Sequence, residues 1–297
     1  MAARGRASDG AAQAPRSART PRALTIAGSD SGGGAGIQAD LKAFARCGVH
    51  GMSAITAITA QSTTGVAAIH AVPPEIVIAQ VRIVAEDIGI DAVKVGMIGS
   101  AESAIAVAQA IDELPAGTPV VVDPVMVAES GARLLEAGAE RALLEEILPR
   151  ASVLTPNVPE ARRLAELAGA EAGSAGSEQD EQREAEALVR VVLGLGPGAV
   201  VLTGGHRARA VDLFLDGDGE GEVVAIEGER RPEGAAHGSG CTHSAVLAAQ
   251  LALGATTLEA ARVARALAGE AIADGLRDIG RGAGPVDVLG LARMRSR

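Results

Sequence analysis

The residues best suited to chemistry are residues 237–242, which read His-Gly-Ser-Gly-Cys-Thr and lead into an apolar run at 244–253 with helical periodicity. Glycines just before a helix leave its first backbone N–H groups uncovered, and these donors and the helix dipole attract anions. The same field favours the thiolate of Cys241, and so basicity near neutral pH. The segment predicts a phosphoryl site beside a candidate base, although turn glycines and a buried cysteine would also explain it.

A second glycine-rich run, at 27–36, follows the first predicted strand. Its spacings partly match a dinucleotide-binding loop, but Asp40 comes too early for the ribose contact expected about 20 residues on. A glycine loop also lets a flat small molecule approach the backbone closely. Asp40 and Gln61 are then candidates for hydrogen bonds to the polar edge of that molecule, and a solvated helix position for Asp40 is an equal alternative.

Two carboxylates are candidates for a divalent cation. Asp123 ends a run of valines, and Glu160 follows another predicted strand. Mg²⁺ binds through one or two carboxylates, waters and phosphate oxygens, so both residues suit a metal beside an anion site. Taken alone, Glu160 is better explained as a first-turn carboxylate favoured by the helix dipole. The segment Thr-Gly-Gly-His at 203–206 predicts either a path for nucleotide phosphates or a simple turn.

These residues need a scaffold that brings strand ends together. The alternation of strands and helices predicts parallel strands with right-handed crossovers and helices on both faces of one sheet. Ligands bind such sheets at the carboxyl ends of the strands, where the candidate residues lie. Strands are predicted at 23–27, 52–60, 92–95, 119–122, 153–155 and 199–203, and an antiparallel hairpin at 211–216 and 222–227. Helices are predicted at 37–47, 74–87, 101–114, 135–148, 158–168, 181–195, 244–253 and 258–276, with a polar loop at 169–180.

Composition limits the class of protein. The chain has 297 residues, of which 47% are hydrophobic, and no composition break divides it, so we expect a single domain at 23–297. Residues 1–22 carry five arginines and no apolar segment, which predicts a disordered tail, with a transit peptide as the alternative. The two cysteines, Cys47 and Cys241, suit a reducing cytosol.

Several classes of partner are disfavoured. The net charge of −10 without a basic stripe argues against nucleic acid, and the absence of Trp and Tyr argues against stacking on single strands. No apolar run reaches the ~18–20 residues of a membrane span. We therefore expect a small-molecule partner, no nucleic acid and no membrane.

Short segments along nearly the whole chain, from about residue 23 to residue 286, resemble one known family. They are LTIAGSD at 24–30, GGAGIQADLK at 33–42, TAQST at 59–63, KVGM at 94–97, DPVM at 123–126, TPN at 155–157, GGH at 204–206 and HGSGCT at 237–242. In this order they resemble the hydroxymethylpyrimidine/phosphomethylpyrimidine kinases of thiamine biosynthesis, within the ribokinase-like superfamily. The resemblance implies an α/β fold, a three-layer α/β/α sandwich around a mostly parallel sheet, and a cytoplasmic homodimer.

The resemblance also implies the reaction and its residues. ATP would phosphorylate 4-amino-5-hydroxymethyl-2-methylpyrimidine and then its monophosphate. Cys241 would act as the base beside an anion hole made by Gly238, Ser239 and Gly240. The pyrimidine would be surrounded by Gly28, Ala35, Asp40, Gln61, Met97 and Val125, with Asp40 and Gln61 reading its ring nitrogens and amino group. Mg²⁺ and the ATP phosphates would be organised by Asp123 and Glu160, with ATP contacts from Asn157, Thr203 and Gly205.

The chain departs from the family pattern at two places. Thr203 stands where some members have a lysine, and residues 232–236 differ from the Asn-Thr that precedes His-Gly in others. Sugar kinases of the superfamily usually carry Asp where this chain has Cys241, which favours a pyrimidine or pyridoxine-type alcohol. A pyridoxal/pyridoxine kinase, a non-catalytic pyrimidine-binding regulatory protein and, more weakly, a dinucleotide oxidoreductase remain as alternatives.

Overall fold

The computed structural model of the chain describes residues 19–127, 131, 134–135, 137–170, 178–205, 210–217, 221–230 and 235–295. The strands are β1 (Arg22–Ala27), β2 (His50–Ile55), β3 (Ala57–Ser62), β4 (Gly65–Ala71), β5 (Ala92–Val95), β6 (Val120–Val122), β7 (Val153–Leu154), β8 (Ala199–Leu202), β9 (Asp212–Asp216) and β10 (Val224–Ile226). The helices are α1 (Gly36–Arg46), α2 (Pro74–Asp87), α3 (Ala101–Asp112), α4 (Ala137–Ala142), α5 (Val158–Leu167), α6 (Glu178–Leu193), α7 (Ser239–Ala252), α8 (Thr257–Ala273) and α9 (Leu291–Arg295).

The centre of the fold is an eight-stranded sheet in the order β10-β9-β8-β7-β6-β5-β1-β2. The strands from β8 to β2 pair in parallel, and β9 and β10 add an antiparallel edge. This arrangement confirms the predicted mostly parallel sheet and the predicted hairpin near the carboxyl end of the chain. Residues 218–220 of the hairpin turn lie outside the described residues.

Helices cover both faces of the sheet and make three layers. Val120 and Val122 of β6 join one hydrophobic cluster, with α2, α3, α5 and α6, whereas Val121 joins the other, with α1, α7 and α8. Strands that are buried on both faces read as continuous apolar runs, which explains the valine runs of the sequence. The functional residues then occupy the strand ends, where the apolar runs stop.

The predicted strand at 52–60 is divided into two strands, β2 and β3, with Thr56 between them. Thr56 interrupts it: its N–H donates to the carbonyl of Ala27 and its hydroxyl to the carbonyl of Met97. The chain then leaves the main sheet, and β3 pairs antiparallel with β4, which the sequence reading missed. Most side chains of β4 are exposed, so this strand lacks the apolar alternation that predicts a half-buried strand.

The predicted helix at 135–148 is also divided. The α-helix α4 ends at Ala142, and Leu143–Ile147 and Leu148–Arg150 follow as a π-helical turn and a 3₁₀ turn. Pro149 lacks the backbone N–H that a regular helix would need at this position. The irregular end brings the chain to the amino end of β7, at the edge of the sheet opposite the site.

Two further boundaries differ from those predicted. Arg22 begins β1 and its side chain pairs with Asp91 at 3.3 Å, so it does not belong to a tail. Residues 1–18 and residues 171–177 of the predicted polar loop lie outside the described part of the chain. The last three residues of that predicted loop, 178–180, belong to α6. No helix in the described part of the chain is long and apolar enough to cross a membrane.

Candidate active site

A pocket lies at the carboxyl ends of the parallel strands, where β1, β5, β6, β7 and β8 stop. All the predicted site residues except Asp40 line it, from both ends of the sequence. They are Gly28, Ala35, Gln61, Met97, Val125, Asp123, Asn157, Glu160, Thr203, Gly205, Gly238, Ser239, Gly240 and Cys241. Gly28 sits against the end of Met97, because a Cβ built on this glycine would lie 2.8 Å from the Met97 Cε atom.

Helix α7 begins at the pocket, five residues earlier than the sequence predicts. Gly238 is its N-cap, with φ of 82° in the left-handed region and no side-chain cap. The low helix propensity of glycine and serine hid this first turn from the sequence pattern. The N–H of Ser239 donates to the carbonyl of Ala236 at 2.9 Å, whereas those of Gly240 and Cys241 have no acceptor within the helix. These donors form an anion-binding surface on the pocket wall.

The α7 turn and the first glycine loop touch backbone to backbone. A Cβ on Gly238 would collide with the Gly34 carbonyl, and one on Gly34 would lie 2.9 Å from Nε2 of His237. A Cβ on Gly36, whose φ is 56°, would collide with the Gly28 carbonyl. The glycines are therefore needed because the two backbone segments approach each other closely, as well as for their backbone conformation. The alternative interpretation, that they are only turn glycines, is incomplete.

We expect Gly238→Ala to lower kcat about 100-fold, because the added methyl must push the α7 turn away from Gly34. Gly254→Ala is the matched control: Gly254 has φ of 89°, and nothing lies within 4 Å of its Cβ position. That variant should lose only the ~1–2 kcal/mol of left-handed strain and keep its kcat. Urea unfolding curves would be measured for both variants. Equal kcat values for the two variants would contradict the expected effect of the Gly238–Gly34 contact on the rate.

Cys241 is partly buried in the pocket wall, and the Gly36 N–H is directed at its sulfur. Burial raises the pKa of the Cys241 thiol to about 12; the charge of Lys94 lowers it, and those of Asp123 and Asp40 raise it further. The direction of this pKa disagrees with the predicted thiolate near neutral pH, because burial favours the neutral thiol. Loss of the proton during a reaction requires nearby positive charge, which Lys94 supplies.

Asp40 does not line the pocket, which corrects its predicted role at the pyrimidine ring. It is fully buried on α1, where its Oδ2 accepts from Thr25 Oγ1 at 2.6 Å and from Lys94 Nζ at 3.0 Å. Burial raises the pKa of Asp40 and the charge of Lys94 opposes that rise. Sequence reasoning missed Lys94, although a lysine inside the buried run Ala-Val-Lys-Val is the signal of a paired buried charge.

Lys94 is fully buried and lines the pocket floor. Its ammonium occupies the space that a Gly96 side chain would fill, since a Cβ there would lie 2.7 Å from Nζ. Burial lowers the pKa of Lys94, but Asp40, Cys241 and Asp123 more than offset it, so the pKa lies above its usual value. The pocket floor therefore carries one permanent positive charge among acidic groups.

Asp123 and Glu160 form the acidic side of the pocket. Asp123 follows β6 and accepts from Ser244 Oγ of α7 at 3.1 Å. Glu160 closes a capping box with Asn157 at the start of α5, so the first-turn reading of Glu160 is confirmed. Burial and the charge of Asp123 raise the pKa of Glu160 to about 8. Two carboxyl groups that repel one another, beside an anion surface, suit a divalent cation.

We expect the free energy of unfolding to fall as pH rises from about 4.5 to 8, because folded Glu160 keeps a proton that the unfolded chain has lost. Glu160→Gln removes this titration yet keeps an oxygen that can accept from the Asn157 N–H. Urea unfolding of both proteins with EDTA over this range should therefore give a shallower pH slope for the variant. Parallel slopes would contradict the raised pKa.

The candidate ATP contacts lie on neighbouring strand ends. Asn157 and Thr203 form an isolated parallel bridge, and the N–H of Thr203 donates to the carbonyl of Pro156 at 2.8 Å. His206 lies outside the described residues, as do residues 232–234 of the divergent loop at 232–236. Within the described chain no group of three or more His, Cys, Asp or Glu residues could hold a metal.

Sequence reasoning missed a buried polar cluster on the same side of the pocket. Asp212 Oδ1 accepts from the Gly204 N–H at 2.8 Å. Its carboxylate also lies 3.3 Å from His243 Nε2 and 3.8 Å from Arg265 Nη1. Burial acts to raise the pKa of Asp212, but His243, Arg265 and Gly204 outweigh it and lower the pKa. No local pattern links these residues, because they come from β9, α7 and α8.

The three-layer sandwich, the parallel sheet and the helix N-terminus at its carboxyl edge make this a ribokinase-like kinase fold, as the sequence predicts. The sequence profile described as phosphomethylpyrimidine kinase matches residues 30–287. The chain belongs to this family.

Curated relatives and solved structures agree with that membership. The chain is 48% identical to the hydroxymethylpyrimidine/phosphomethylpyrimidine kinase of Rhizobium meliloti, over 90% of this chain and 96% of that protein. It superposes on the phosphomethylpyrimidine kinase of Clostridium difficile with a TM-score of 0.69 at 37% identity, covering 84% of this chain and 99% of that one. It superposes on the pyridoxal kinase of Staphylococcus aureus, in complex with AMP-PCP and pyridoxal, with a TM-score of 0.78 at 31% identity, covering 93% and 96%.

Proposed function

We propose that the chain transfers the γ-phosphoryl group of ATP to the hydroxymethyl oxygen of 4-amino-5-hydroxymethyl-2-methylpyrimidine, and then phosphorylates the monophosphate to the pyrophosphate. The observation that carries the proposal is the uncapped N-terminus of α7 with the Cys241 thiol in its first turn. Family membership supplies the reaction class, that of an ATP-dependent kinase.

The first transfer is an in-line displacement. The alcohol oxygen bonds to the γ-phosphorus, the bond from that phosphorus to the bridging oxygen breaks, and ADP leaves. The amides of Gly240 and Cys241 stabilise charge on the transferring group, in place of the predicted set Gly238, Ser239 and Gly240, because the Ser239 N–H already donates to Ala236. The Cys241 thiol first gives its proton to solvent, and Lys94 offsets the charge of the resulting thiolate. The thiolate then accepts the alcohol proton on its sulfur.

The pyrimidine lies over the glycine loop, between Gln61 and Met97, and Gln61 hydrogen-bonds its polar edge. Ala35, Gly28 and Val125 supply the remaining apolar contacts. Asp40 does not touch the substrate; its carboxylate pairs with Lys94 below the pocket floor. On the ATP side, Asn157, Gly205 and the Thr203 hydroxyl contact phosphates. Thr203 brings no charge where some family members have a lysine, so its contact is a hydrogen bond alone.

Asp123 and Glu160 fit Mg²⁺, because their carboxyl groups repel one another and face the anion surface. Bound there, Mg²⁺ would neutralise charge on the leaving phosphates. The fit is tested without turnover: Mg²⁺ should raise the unfolding midpoint of the wild type at about pH 8 more than that of Asp123→Asn. Equal increases would place the cation elsewhere.

A pyridoxal kinase is the second candidate. The observation in its favour is the TM-score of 0.78 with the Staphylococcus aureus pyridoxal kinase, against 0.69 with the Clostridium difficile phosphomethylpyrimidine kinase. The 48% identity to the Rhizobium meliloti relative, against 31% to that pyridoxal kinase, favours the pyrimidine. Both rings carry a hydroxymethyl group, so the transfer chemistry is the same.

The deciding experiment incubates the protein with ATP, Mg²⁺ and either alcohol, and resolves the products by mass. Sequential monophosphate and diphosphate of the pyrimidine are expected. Monophosphate alone would remove the second step, and phosphorylation of pyridoxal alone would support the second candidate. Tight pyrimidine binding without ADP release would indicate a binding protein, and binding of NAD would reopen the oxidoreductase alternative.

We also propose a cytoplasmic homodimer built on one domain, which extends the predicted range of 23–297 by Arg22. The exposed Ile58 of β3 supports an interface between two copies at the β3–β4 sheet, because a second copy would remove this apolar side chain from water. Light scattering coupled to size exclusion should give about twice the chain mass, and Ile58→Glu should shift it toward the monomer.

A further inference from the structure

Asp30 and His237 connect the two loops that carry the site. The Nε2 atom of His237 lies 3.0 Å from Oδ2 of Asp30, across 207 residues of sequence. Both side chains are buried and both line the pocket. Asp30 follows β1 in the glycine loop, whereas His237 directly precedes the N-cap of α7. Neither residue has a role in the reaction described above.

The Asp30 carboxylate organises the glycine loop. It accepts from the backbone N–H groups of Gly32, Gly34 and Ala35 at 2.8, 3.0 and 2.8 Å. Burial acts to raise the pKa of Asp30, but the hydrogen bonds from His237 and the loop outweigh it and hold the pKa below its usual value. The carboxylate is therefore ionised at neutral pH and accepts all four bonds.

The backbone of His237 is fixed by two hydrogen bonds, which in turn limit where its ring can lie. The His237 N–H donates to the Gly284 carbonyl at 3.3 Å, and its carbonyl accepts from Val286 at 3.1 Å. The ring rests on Gly34, where no side chain would fit, and the next residue, Gly238, touches the Gly34 carbonyl. A displacement of the ring must therefore move the glycine loop and the α7 turn relative to each other.

The two loops carry opposite halves of the reaction. The glycine loop lies under the acceptor, and its Gly36 N–H points to the Cys241 sulfur. The α7 turn holds the transferring group. In-line transfer needs the reacting atoms about 3–3.5 Å apart, and a misplacement of about 1 Å lowers the rate about 100-fold. The distance between the loops therefore determines the rate.

We propose that the Asp30–His237 pair is a positioning pair that sets the distance between the bound alcohol and the phosphoryl site. This inference rests on the proposed kinase function. Without the pair, the alcohol sits out of line and water competes for the γ-phosphoryl group. Water then bonds to the γ-phosphorus, and ADP, inorganic phosphate and a proton are released in place of ADP and the phosphorylated alcohol.

The test compares His237→Met, which keeps bulk but loses the donor, with His237→Gln, whose side-chain amide reaches the place of Nε2. Phosphorylated pyrimidine, ADP and the unfolding midpoint are measured for each. His237→Met should lower kcat about 10–100-fold and raise the ratio of ADP released to alcohol phosphorylated above one. His237→Gln should stay closer to wild type in both. His50→Gln, at an exposed histidine of β2, is the control for the substitution itself.

Every result of these measurements either supports or overturns the positioning role of the Asp30–His237 pair. A lower kcat with a ratio of one would indicate a merely structural histidine and overturn the proposal, as would unchanged kinetics. If His237→Met does not fold, His237→Asn replaces it, because its shorter amide does not reach Asp30; equal ratios for the asparagine and glutamine variants would overturn the pair. Failure of the kinase function is seen separately, as a wild type that phosphorylates no alcohol, and it would overturn both.

Discussion

Replacing Cys241 with alanine is expected to lower kcat about 10²–10⁴-fold, with the KM for ATP and the unfolding midpoint little changed. The alcohol then has no acceptor for its proton, whereas the anion surface of α7 is backbone and stays in place. Because burial raises the pKa of the thiol to about 12, the thiolate fraction grows as pH rises from neutral. The kcat of the wild type should therefore climb with pH, and that of Cys241→Ala should stay flat.

The control is Cys47→Ala. Burial raises the pKa of the Cys47 thiol as well, but this residue caps the far end of α1 and does not line the pocket. The two variants therefore differ in position and not in the kind of thiol removed. Steady-state kinetics on the pyrimidine alcohol, from about pH 6 to 9, would decide the role of Cys241. A kcat near wild type for Cys241→Ala would exclude the thiol as the base.

Lys94→Met is expected to lower the free energy of unfolding by about 3–5 kcal/mol at neutral pH. The substitution leaves the Asp40 carboxylate fully buried, with the Thr25 hydroxyl as its hydrogen-bond donor. Since burial already raises the pKa of Asp40, the lone carboxyl protonates readily in acid. The loss of stability should therefore be small at low pH and grow as pH rises. Urea unfolding at several pH values measures it.

The double variant Lys94→Met with Asp40→Asn isolates the charge effect. Both buried charges are then gone, and the asparagine side chain keeps an oxygen that can accept from Thr25. We expect most of the lost stability to return, because an unpaired buried charge costs more than a neutral replacement of the pair. A double variant as unstable as Lys94→Met would show that the loss comes from packing of the lysine stem.

The sequence located most of the pocket because glycines, carboxylates and a thiol stand out where apolar strands end. Asp40 was misassigned because its partner, Lys94, lies 54 residues away on another strand, and neither local pattern shows that the two meet. The acidity of Cys241 was predicted from the helix field, which is local, whereas burial, which decides the pKa, belongs to the tertiary fold. The departure of β3 from the sheet likewise depends on long-range hydrogen bonds of Thr56.

The glycines of the pocket differ in what they touch, and this divides the pocket into a fixed half and an adaptable half. Gly238 meets a backbone carbonyl, which cannot give way without moving a loop. Gly28 meets the end of Met97, a flexible thioether that can change rotamer. New ring shapes can therefore be accepted beside Met97 while the transfer geometry stays constant.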